Sequence, residues 1–84
     1  MDDTQLISIV IDTARSVFKQ PGLEYEPSLV FREIRGFDSI LAIQFILAIE
    51  QALDVTLNEE EVDQMDTVGI LLDILRTKTD STRK

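Results

Sequence analysis

From Ser39 to Leu53 the chain carries a single charged side chain, Glu50. The stretch reads Ser39-Ile40-Leu41-Ala42-Ile43-Gln44-Phe45-Ile46-Leu47-Ala48-Ile49-Glu50-Gln51-Ala52-Leu53. At roughly 100° per residue, Ala42, Phe45, Ile46, Ile49 and Leu53 fall on one face of a helix, which must be the core side. Ile40, Ile43 and Leu47 fall on roughly the opposite face, among Gln44, Glu50, Gln51 and Asp54. A chain of 84 residues can hardly bury a helix on every side. The second stripe therefore either packs under a loop or faces a partner. Asp38 suits the N-cap, because its carboxylate can accept from the free amides of the first turn. Ser39 then holds a primary hydroxyl at the helix start, beside a turn that Gly36 keeps loose.

The remaining composition narrows the choices. One small domain is all that this length supports, and 44% hydrophobic with 29% charged residues fits a folded globule. The chain has no Cys, hence no disulfide framework and no thiolate. It has no His, which removes the usual general base and the commonest metal ligand. A self-contained hydrolase or metalloenzyme is disfavoured on both counts. The net charge of −8 repels phosphate backbones, so nucleic acid is not the expected partner. The run from Ile40 to Ile49 is too short to span a bilayer. Met1-Asp2-Asp3-Thr4 lacks the basic opening of a secretory signal, so the cytoplasm is the expected location.

In chain order, Asp2, Asp3 and Thr4 open a first helix whose stripe is Leu6, Ile7, Val10, Ile11, Ala14, Val17 and Phe18. Lys19 is its expected last-turn cation, and Gln20-Pro21-Gly22 stops it. A long connection, Leu23 to Phe37, follows. Leu23, Tyr25, Leu29, Phe31, Ile34 and Phe37 read as pins, with Phe31 the deepest, and Arg32 and Arg35 as solvated surface cations. After the central helix, Asn58 caps a short helix through Glu59, Glu60, Glu61, Val62 and Asp63. Asp66 or Thr67 caps a last helix, Val68 to about Arg76, with Val68, Leu71, Leu72 and Leu75 buried. Gly69 there either costs stability or permits close packing. Residues 77–84 read as a polar flexible tail after a domain spanning 1–76. The expected fold is all-α, a small bundle of three main helices and one short one.

Few constellations could carry chemistry. A calcium loop starting at Asp54 would need Gly where Glu59 stands and Glu where Met65 stands, so no metal site is expected. No Gly-rich phosphate loop is present. A Ser nucleophile needs a base; without His, Ser39 would have to rely on Lys or a carboxylate, and no Lys lies near it in sequence. No catalytic residue is therefore assigned; if Ser39 matters, something else acts on it.

Gly36-Phe37-Asp38-Ser39-Ile40 resembles the glycine-x-Asp-Ser-Leu signature of acyl carrier proteins, with Ile40 in place of Leu. The likeness runs from Ser28 through Arg76, including the Asn58-Glu59-Glu60-Glu61 helix and the Asp66-Thr67-Val68 opening of the last one. The resemblance implies that Ser39 is esterified by 4′-phosphopantetheine, transferred from coenzyme A by a phosphopantetheinyl transferase, with Asp38 aiding recognition. The arm's thiol would carry acyl groups as thioesters, and the chain itself would be no enzyme. It further implies a docking surface at Ile40, Ile43, Leu47 and Glu50, and an acyl shelter at Phe45, Ile49, Leu53, Leu57, Val62 and Leu71.

This sequence departs from the family's fatty-acid carriers, which present several acids along the docking helix. Leu41, Gln44 and Gln51 stand where such acids lie. Arg35 replaces an apolar residue, and Ile34 takes over its packing. The departures favour a specialised carrier, serving polyketide, aminoacyl or modified-lipid synthesis ahead of housekeeping fatty-acid synthesis. It would be a monomer that meets loading ligases and synthase enzymes. The alternatives are an aminoacyl or peptidyl carrier, and an unmodified helical interaction module.

Overall fold

The computed structural model describes residues 2–81. Four α-helices follow one another: α1 (Asp3–Val17), α2 (Ser39–Leu53), α3 (Glu59–Gln64) and α4 (Val68–Ser81). A 3₁₀ turn at Phe31–Glu33 interrupts the long connection that composition marks as irregular. Leu6, Val10, Ile11, Ala14 and Phe18 of the first segment, Phe45, Ile49 and Leu53 of α2, and Val68, Leu71, Leu72 and Leu75 of α4 are all buried in one core.

Helix ends follow their side chains. The Gln5 amide donates to Asp2 Oδ1 at 2.9 Å, capping α1. Its other end departs from expectation. Phe18 is the C-cap and Lys19 lies beyond the helix in the left-handed region (φ 57°). There the Gln20 amide reaches back to the Arg15 carbonyl at 2.9 Å. The last-turn cation is Arg15 instead, whose Nε donates to the Leu23 carbonyl at 2.6 Å and ties down the start of the connection.

Phe31 and Ile34 are buried, while Leu23, Tyr25, Leu29 and Phe37 are half-buried against the core. The connection is also sewn to the far end of the chain. The Phe31 amide donates to the Asp66 carbonyl and the Val68 amide to the Leu29 carbonyl, an isolated antiparallel bridge between Val30 and Thr67. Beside it the Gly69 amide donates to the Pro27 carbonyl at 3.0 Å. A Cβ on Gly69 would lie 2.9 Å from that oxygen, so the glycine permits the approach.

α3 buries no residue completely and stands on its cap. The Glu61 amide donates to Asn58 Oδ1, and the Asn58 amide to Glu61 Oε1, a reciprocal capping box. Thr67, not Asp66, caps α4, its Oγ1 accepting from the Ile70 amide at 3.2 Å. α4 continues to Ser81, past the expected end near Arg76. The Thr77 and Thr79 hydroxyls donate to the Asp73 and Leu75 carbonyls, and Lys78 pairs with Glu61 of α3 at 2.8 Å. The segment expected as a tail is thus helical to residue 81, and residues 82–84 lie outside the described residues.

Candidate functional site

Ser39 is the first residue of α2 and is exposed. The turn before it is set by Gly36, which is held, not loose. Its φ is +87°, and a Cβ there would meet the Phe18 carbonyl at 3.1 Å. Asp38 is extended, and its Oδ1 accepts from the Leu41 amide at 2.8 Å. That carboxylate fixes the helix start one residue before the hydroxyl. The Ser39 hydroxyl makes no hydrogen bond among the described residues, so nothing in the fold competes for it.

The second apolar stripe of α2 has no cover among the described residues. Ile40 is 69% exposed, Ile43 59% and Leu47 51%. Glu50, expected beside them, is half-buried, and its Oε2 accepts from the Leu57 amide at 2.8 Å. Its carboxylate serves as a latch on the α2–α3 connection. The outer face of α2 from Ser39 to Ile49 therefore carries no charge at all.

A cavity of about 120 Å³ opens beside this helix. Ala42, Phe45 and Ile46 of α2 line it, with Phe18, Phe31 and Phe37, Val62 of α3 and its C-cap Met65, and Arg32 and Asp66. All four phenylalanines of the chain line it, and they form one cluster. Ring centroids are 5.8 Å apart for Phe18 and Phe37, 5.6 Å for Phe18 and Phe45, and 5.3 Å for Phe31 and Phe45. Of the positions expected to shelter a cargo, only Phe45 and Val62 line this cavity. Ile49, Leu53, Leu57 and Leu71 are buried core residues instead. The cavity is walled by rings from the end of α1, from the connection and from α2, which meet beside Ala42 and Ile46. Periodicity within α2 cannot show that. The signal available in the sequence was the placement of Phe18 before the connection and of Phe31 and Phe37 within it.

Among the described residues no three acids converge as a metal site, and no helix is long and apolar enough to cross a membrane. A family model described as a phosphopantetheine attachment site matches residues 8–75. The chain belongs to that family. No curated protein and no solved structure gives a significant match. Phosphopantetheine attachment domains bear a covalent 4′-phosphopantetheine group and are carriers, not catalysts. The chain's residues fit such a group. A reachable, uncommitted hydroxyl lies at a helix N-terminus, where a phosphate is favoured by the dipole and by free backbone amides.

Proposed function

We propose that Ser39 is the attachment residue, and that the chain presents acyl intermediates to biosynthetic enzymes of a specialised polyketide or modified-lipid type. The observation that carries the assignment is the exposed Ser39 hydroxyl, directly after the Asp38 cap, inside the residues matched to the family. Transfer from coenzyme A forms the bond between Ser39 Oγ and phosphorus as coenzyme A's pyrophosphate link breaks. The nucleotide half leaves, and the serine proton goes to a base on the transferase, since this chain has no His to take it. The group supplies a thiol, which a chain without Cys lacks. Asp38 holds the helix start so that the hydroxyl is presented in one orientation.

The proposed docking surface is Ile40, Ile43 and Leu47, the exposed stripe running on from Ser39. Glu50 supports it indirectly, by holding the end of the helix to the next connection. With no charge on this face, association with loading and synthase enzymes should be slow to steer and weakly dependent on salt. That property supports the specialised reading over a fatty-acid one. In the same proposal the chain acts as a monomer in the cytoplasm.

The deciding experiment is intact mass after incubation with coenzyme A and a broad-specificity phosphopantetheinyl transferase, run beside Ser39→Ala. A phosphopantetheine-sized gain in the parent, absent from the variant, supports the proposal. A folded parent that gains no mass with several transferases overturns it.

A further inference from the structure

The cations of this acidic chain fall into two sets. Arg15 pairs with Asp12, Arg76 with Asp3 and Asp73, and Lys78 with Glu61. Lys19, Arg32 and Arg35 are exposed and have no ion-pair or hydrogen-bond partner among the described residues. With a net charge of −8, acids to pair with are plentiful, yet these three stay free. All three belong to the segment that folds against the start of α2. Lys19 follows Phe18, whose ring stacks on that of Phe37 at 5.8 Å and whose carbonyl lies against Gly36. Arg35 directly precedes Gly36, in a turn closed by the Phe37 amide on the Ile34 carbonyl at 3.0 Å. The chain from Arg35 to Ser39 spans at most about 14 Å, and the turn shortens it. Arg32 lines the cavity together with Phe37 and with Ala42, which lies on the first turn of α2.

The acids at this end are Glu33, Asp38 and Asp66, and Asp38 Oδ1 is engaged by the Leu41 amide. The Ser39 and Ile40 amides have no intrahelical acceptor and add partial positive charge beside the serine. We infer that Lys19, Arg32 and Arg35 cradle the phosphodiester of the arm attached at Ser39, holding the root of the arm against the connection. The inference rests on the reading of Ser39 as the attachment residue. A phosphodiester carries one negative charge at neutral pH, and guanidinium N–H groups donate to its oxygens as a fork. Single exposed ion pairs are weak, so the cradle works by gathering several cations about one anion. At 0.1 M salt the field of each reaches about 10 Å, so no fixed contact is required. Arg32 lies on the Ala42 side of α2, opposite Ile40, Ile43 and Leu47. An arm held there leaves that apolar stripe open.

The test compares the full chain before and after transfer from coenzyme A, with intact mass confirming the product. Phosphorus-31 and arginine Nε–H resonances are then recorded in the parent and in the triple variant Lys19→Gln, Arg32→Gln, Arg35→Gln. Attachment should move the Arg32 and Arg35 Nε–H signals. Those of Arg15, committed to the Leu23 carbonyl, and Arg76, committed to Asp3, should stay. In the triple variant the phosphorus signal should shift toward that of free phosphopantetheine, and Glu33→Gln should shift it the other way. Attachment should change Tm more favourably in the parent than in the triple variant, by about 2–4 °C at low salt. That difference should vanish at about 1 M sodium chloride, where screening acts within about 3 Å. The three residues are exposed, and circular dichroism confirms that the variant folds. Unmoved Arg32 and Arg35 signals, or a phosphorus signal common to parent and triple variant, overturn the inference and leave the carrier reading standing. Slower transfer with unchanged spectra also overturns it, and makes the cations a docking surface for an acidic partner. Absence of any mass gain in the parent overturns the carrier reading and the inference with it.

Discussion

Replacing Glu50 separates two roles that one carboxylate could play. Its Oε2 accepts from the Leu57 amide at 2.8 Å, across the connection between α2 and α3. A hydrogen bond to a charged group contributes about 1.5–3 kcal/mol, and leaving a buried amide without an acceptor costs a similar amount. Glu50 is only half-buried, so water recovers part of that loss. Ala is also the better helix former by a few tenths of a kcal/mol. The net expectation for Glu50→Ala is a loss of about 1–2 kcal/mol. In a domain of this size that lowers Tm by about 5–12 °C. Glu50→Gln keeps an acceptor oxygen in place and should lose about half as much. Thermal unfolding followed by circular dichroism gives the stability. Hydrogen exchange at the Leu57 amide gives the location, and protection there should fall in the Ala variant more than at amides of α1. If Glu50→Ala unfolds within about 2 °C of the parent and Leu57 exchange is unchanged, the latch is refuted. A loss confined to partner affinity would then mark Glu50 as a docking charge.

Gly69→Ala should destabilise by about 1–3 kcal/mol despite the higher helix propensity of Ala, because its Cβ would lie 2.9 Å from the Pro27 carbonyl oxygen; urea unfolding measures this. Asp38→Ala removes the acceptor for the Leu41 amide and should cost about 1 kcal/mol in the same assay, whereas Asp38→Asn should recover most of it. Glu61 is held below the ordinary carboxylate range by its hydrogen bond from Lys78 and then by the Asn58 amide. A folded-state value below the unfolded one adds stability that is fully present above the unfolded value and fades as pH falls through the folded one. Parent and Glu61→Gln should therefore differ most near neutral pH and converge in acid, when Tm is followed from pH 7 downwards.

How far the structure could be read from residues depended on the local physics. The limits of α2 were legible because a cap precedes an apolar run of unmistakable period, and Asp38 and Leu53 bound it as expected. The buried stripe of α4 was legible for the same reason. Its end was not, since Thr77 to Ser81 have no apolar period, and the helix there rests on hydroxyl bonds to its own carbonyls and on Lys78 reaching Glu61. Lys19 in a left-handed conformation gave no sign either, because glycine is the usual occupant of that position and Gly22 stands nearby. At the candidate site, Ser39 and Asp38 are singled out by the motif, while period sets Ile40, Ile43 and Leu47 on one face and leaves open whether a loop covers them. The cavity depends on rings from three separated segments meeting, a tertiary fact that spacing within one helix does not contain. The Glu50 latch was not legible for a related reason, since its acceptor role involves an amide seven residues further on.

The family match ends at residue 75, yet Lys78 props α3 from beyond that border. Anyone grafting this domain into a multienzyme by trimming at the match would remove the strut. α3 has no fully buried side chain to compensate, and Val62 and Met65 on its inner side wall the cavity. Such a transplant would keep the Asp38 cap of α2, but α3 would have lost a brace. A chimera cut after residue 75 and one cut after residue 81 would then differ in the stability of α3, which hydrogen exchange at its amides would show. For this chain, the useful module for engineering is longer than the motif that identifies it.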